Sequence, residues 1–120
     1  MNQPFDPLEF LRLAQQLAGQ GAGERELRTA VGRTYYALFL IARDRTGVTA
    51  RQGVHKAVRR AVKLRSGHKS TASQLGSLQR LREVADYEEL PADPSQRDWA
   101  ANWHTVDTIA THILPRLQSL

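Results

Sequence analysis

His55, His68, His104 and His112 are the four imidazoles of the chain, and they raise two possibilities, metal binding and proton transfer. His104 and Asp107 stand one helical turn apart, and His112 lies two turns beyond His104. No histidine pair has the i, i+4 spacing that turns two imidazoles on a helix towards one metal. There is no cysteine, so thiolate ligands, disulfides and thiol catalysis are excluded. The expectation is no metal and no cofactor. Gly19, Gly21 and Gly23 follow no strand and look like a helix–helix turn rather than a phosphate loop. No Ser or Thr occupies a nucleophile elbow.

His55 suggests different chemistry. Arg51 and Arg59 are each one turn away on the same side, and Lys56 is its neighbour. Cations at that range disfavour a further positive charge and keep an imidazole neutral near pH 7. Two roles fit: binding a phosphate or base in a pocket with Arg33 and Tyr36, or bonding to a neighbouring helix at the edge of the core. Tyr35 and Tyr36 precede an apolar run, and adjacent positions on a helix point about 100° apart. They therefore cannot share a face. Tyr35 is expected to pack, with Arg33, Arg82 or Asp86 as its hydroxyl partner, and Tyr36 to look into a pocket.

The charges are segregated. From Arg43 to Arg82 there are eleven Lys or Arg and one acid, Asp44; from Glu83 to Asp107 there are seven acids and one base, Arg97. The net charge is +5. Lys56, Arg59, Arg60 and Lys63 line one side of their helix with no acid between them, a pattern that suits a phosphate-rich partner. The same pattern also serves as a solvated helix face.

The elements that must position these groups are helical. The length of 120 residues, 41% hydrophobic and 24% charged, suits one domain with one core, residues 1–120. No strand pattern and no internal repeat is evident. Asp6 and Pro7 open a first helix with Leu8, Leu11, Ala14 and Ala18 on one stripe, closed by Gly19-Gln20-Gly21. A second helix is predicted over 24–45, apolar on most sides and therefore central. A glycine inside a helix costs about 1 kcal/mol against alanine, so Gly32 is expected to let another element come close. A third helix is predicted over 51–65 with Val54, Ala57, Val58, Ala61 and Leu64 facing the core. A fourth is predicted over 71–88 with Leu75, Leu78, Leu81 and Ala85 inward. The last starts at a Ser95 cap and carries a heptad seam of Trp99, Trp103, Val106, Ala110, Ile113, Leu117 and Leu120. Pro115 is expected to kink or loosen its end. The fold class is all-α, an up-and-down bundle of about five antiparallel helices. The longest apolar run, Tyr35 to Ala42, is too short for a bilayer, and the start MNQPFDPLEF lacks the order of a signal peptide. A cytoplasmic location and no membrane partner are expected.

Three stretches taken together resemble one family. ERELRTAVGRTYYALFLIAR (24–43), GVHKAV (53–58) and LQRLREVADYEE (78–89) are similar to the HEPN domains of bacteria and archaea, through Arg28, Arg33, Tyr35, Tyr36, Ala37, Phe39, His55, Lys56, Arg82, Ala85, Asp86 and Tyr87. The resemblance implies an antiparallel helical fold, usually a homodimer, associated with RNA or nucleotides. It also implies a possible nucleotidyltransferase partner in a toxin–antitoxin or defence setting. Nuclease members carry an Arg followed after four to six residues by a His. Two copies meet across the dimer and cleave RNA without metal, a base deprotonating the 2′-hydroxyl and a cation steadying the phosphorane. Here Arg82 is followed by Asp86 and Tyr87 where a histidine would stand. Asp86 is a conceivable base, but one turn from Arg82 it better suits a structural ion pair. The literal spacing occurs at Arg97 and His104, expected on one helix face two turns apart. With fourteen Arg and four His in the chain, chance also supplies such a match.

The residues thus nominate Arg33, Tyr36, His55, Lys56, Arg59, Arg60, Lys63 and Tyr87 for ligand binding. Arg97 with His104, or Arg82 with Asp86, are the candidates for catalysis. The expected function is RNA or nucleotide binding without strong catalysis. The alternatives are a metal-independent ribonuclease toxin and a structural module that dimerises through the Trp99–Leu120 seam.

Overall fold

A computed structural model describes residues 5–120. Five α-helices account for most of them: α1 (Leu8–Leu17), α2 (Glu24–Thr46), α3 (Val54–Leu64), α4 (Lys69–Tyr87) and α5 (Trp99–Gln118), with a 3-10 turn at Pro94–Gln96 before α5. No strand occurs among the described residues. The protein is an all-α bundle.

Asp6 starts α1 as its position suggests, its carboxylate accepting the Leu8 N–H at 3.0 Å. In α1 only Ala14 is fully buried; Leu8, Leu11 and Ala18 are half-buried. Gln15 ties α1 to α5 through Asp107 at 2.8 Å.

The second helix is central. It packs against all four others, and it buries Leu27, Ala30, Val31, Thr34, Tyr35, Ala37, Leu38, Phe39, Ile41 and Ala42. Its first turn is held by Glu26, whose carboxylate accepts the Gly23 N–H at 3.1 Å. Its last turn ends at Gly47, whose φ of 71° is the left-handed conformation that glycine adopts without strain.

The third helix begins later than its periodicity suggests, after Gly53 at φ 59°. Val58 and Val62 are its buried anchors, and Leu64 is 76% exposed rather than core-facing. The reason is angular: two residues past Val62 is about 200° around the helix. The fourth helix starts at Lys69, two residues before the predicted position, and buries Leu75, Leu78, Leu81 and Ala85 as expected.

Ser95 does not cap α5. It lies in the 3-10 turn, with its N–H bonded to Asp93 at 3.0 Å, and Asp98 is the cap, accepting the Ala101 N–H at 3.0 Å. Trp99, Val106, Ala110, Ile113 and Leu117 are buried against the rest of the chain. Trp103 and Leu120 are half-buried. The heptad seam is therefore filled within the monomer, chiefly by α2. Helix α5 runs through Pro115 to Gln118. The carbonyl that Pro115 cannot serve belongs to exposed Thr111, where water can reach it.

Candidate functional site

Positions 25, 28–29, 32–33 and 36 recur at helical spacing and form one face of α2. That face, with the C-terminal half of α4, makes a cleft of about 600 Å³ lined by Arg28, Gly32, Arg33, Tyr36, Arg82 and Asp86, among others. Tyr36 is 37% exposed, with Phe10 edge-on to it at 6.1 Å. Arg33 lies over the Phe10 ring at 5.1 Å. Arg82 Nε holds Asp86 Oδ2 at 2.8 Å, the ion pair expected from their spacing. Gly32 faces this pair, and a Cβ placed there would stand 3.3 Å from Asp86 Oδ1. The close approach that the helical glycine permits is therefore that of a carboxylate.

Arg28 is the anchor of this region and was visible in the sequence only as a matching letter. Its guanidinium donates to the carbonyls of Ala85 at 3.2 Å and Glu89 at 2.8 Å, and also to that of Glu88. It pairs with Glu24 at 3.3 Å and covers the Trp99 ring at 4.4 Å. One side chain thus satisfies the open carbonyls at the end of α4 and joins α2, α4 and α5. Tyr87 is 73% exposed and stands outside the cleft, with Arg82 5.7 Å from its ring.

His55 is not brought to Arg33 and Tyr36. Its Nδ1 meets the Tyr35 hydroxyl at 2.7 Å, and its ring stacks on Phe39 at 4.3 Å. The partner of Tyr35 is therefore this histidine, not Arg33, Arg82 or Asp86. Burial lowers the His55 pKa, and Arg82 and Arg59 lower it further. Burial also raises the pKa of the fully enclosed Tyr35.

A second concavity lies between α3 and α4. Lys56, Arg59, Arg60 and Lys63 line it with Lys69 and exposed Leu64, around an open space of about 670 Å³. None of these five cations has a carboxylate within 4.0 Å among the described residues, so their field is uncompensated by ion pairing. Lys69 joins the group because α4 starts early, at a position whose sequence suggests loop.

Arg97 and His104 do not share a helix face. Arg97 precedes α5, and its Nε donates to the Pro91 carbonyl at 2.8 Å. His104 is exposed on α5. Asp98 rather than Ser95 starts the helix, so Arg97 falls outside it.

Among the described residues no cluster of three His, Asp or Glu is placed to hold a metal ion, and no helix is long and apolar enough to cross a membrane. Comparison with family models, with curated proteins and with solved structures returned no match.

Proposed function

We propose that this protein is an RNA- or nucleotide-binding helical module whose α3–α4 groove grips phosphates. The observation that carries it is the set Lys56, Arg59, Arg60, Lys63 and Lys69, gathered on one groove with no carboxylate in pairing distance. Cations in that state lose little by exchanging solvent ions for phosphate oxygens, and the released counterions drive binding. The HEPN resemblance supports the same ligand class, and adds a homodimer and a nucleotidyltransferase-type partner in a toxin–antitoxin or defence setting as the working context. Binding without strong cleavage is favoured over a ribonuclease, because Arg97 is engaged by the Pro91 carbonyl and Asp86 by Arg82.

The test is affinity for a single-stranded RNA as a function of salt. Contact with three or four phosphates gives a log–log slope of about −2 to −3. Reversing Arg59, Arg60 and Lys63 to Glu should weaken binding at least about tenfold and flatten that slope. Undiminished binding by the reversed variant would remove the groove from consideration.

A further inference from the structure

The cleft between α2 and α4 carries charges of both signs, unlike the groove, and its acid is ion-paired. Arg82 Nε lies 2.8 Å from Asp86 Oδ2. No described residue donates a hydrogen bond to Oδ1, which faces the bare Cα of Gly32. A carboxylate oxygen accepts two hydrogen bonds, so each oxygen retains acceptor capacity. Nearby, Arg33 has no carboxylate within 4.0 Å among the described residues, and half-exposed Tyr36 offers a ring and a hydroxyl. The volume of about 600 Å³ suits a small organic ligand.

We infer that this cleft is a guanine site, with Asp86 as the residue that selects the base. The inference rests on the reading of the chain as a nucleotide-binding protein. A carboxylate matches two parallel N–H donors, as in fork-to-fork pairing. Guanine presents such a pair, N1–H beside the N2 amino group. Adenine, cytosine and uracil place no two donors side by side along the same edge, and would turn a ring nitrogen or carbonyl towards a carboxylate oxygen. Tyr36 supplies the aromatic contact that an unstacked base takes, and Arg33 supplies a cation for its phosphate. The mid-helix glycine fits this use, since any side chain at position 32 would crowd Oδ1.

Guanine can arrive as a free nucleotide or within single-stranded RNA, and calorimetric titration separates the two. The probes are GMP, IMP, AMP, CMP and UMP, and two short single-stranded RNAs of equal length with and without guanine. GMP should bind about tenfold more tightly than IMP, which lacks the N2 amino group, and about 100-fold more tightly than the other three. Asp86→Asn should reduce GMP to the level of AMP, because an amide exposes only one acceptor. Gly32→Ala should do the same while keeping the fold, since alanine is the better helix former. A preference for the guanine-containing RNA assigns the site to RNA; preference among monophosphates alone assigns it to free nucleotide. Equal binding of the monophosphates and of the two RNAs, or a guanine preference that survives Asp86→Asn, overturns the inference. In that case RNA binding that still depends on Arg59, Arg60 and Lys63 leaves the proposed function standing. Absence of all binding overturns both.

Discussion

The Tyr35 hydroxyl and His55 Nδ1 are 2.7 Å apart, joining the central helix to the basic one. With the imidazole neutral, the hydroxyl donates to Nδ1. Burial first, then Arg82 and Arg59, oppose a charge on His55, while Glu83 favours it. The bond therefore belongs to the neutral histidine.

That relationship predicts acid sensitivity. The folded-state pKa of His55 lies below the ordinary value of about 6.5. Between those two pKa values the unfolded chain binds more protons, so stability rises with pH. The contribution is fully present above about pH 6.5 and declines as pH falls from there towards the lowered pKa. Melting temperature measured from pH 7.5 to pH 5 should fall for the wild type and change less for His55→Gln. Tyr35→Phe should cost about 1 kcal/mol at pH 7 by leaving Nδ1 without its donor.

Arg28 should matter more to stability than its position near the surface suggests. Arg28→Ala removes several charge-assisted hydrogen bonds to the end of α4 and should cost about 2 kcal/mol in chemical denaturation. Hydrogen exchange should quicken most at residues 84–89. Arg28→Lys should recover only part, since a point charge cannot span carbonyls that a planar fork reaches together.

Two apolar residues of α3 should behave oppositely. Val62 is fully buried, and Leu64 is 76% exposed. Val62→Ala should cost about 2 kcal/mol, and Leu64→Ser should stay within about 0.5 kcal/mol. Thermal melts of the two variants check this directly.

RNA incubated with the protein in EDTA should remain intact on a denaturing gel. Arg97→Ala and His104→Ala should leave RNA affinity unchanged. Metal-free cleavage that either substitution abolishes would restore the ribonuclease alternative and show that this pair meets in another assembly.

The sequence by itself determined that the chain is helical and that a helix over residues 24–45 forms its centre. Apolar residues on most sides of a helix require neighbours on most sides, whatever those neighbours are. It also determined local features that depend on a few residues, such as Asp6 starting α1 and the Arg82–Asp86 pair at i, i+4. The tertiary structure alone decided which groups meet across helices. His55 turns to Tyr35 rather than to Arg33 and Tyr36, because a partner depends on the rotation of α3 about its own axis and not on spacing along one chain segment. Arg28 reaches carbonyls 57 to 61 positions away, a distance that no helical periodicity encodes. Arg97 and His104 were separated by a competition between Ser95 and Asp98 for the same cap, and the turn bonded to Asp93 resolved it in favour of Asp98.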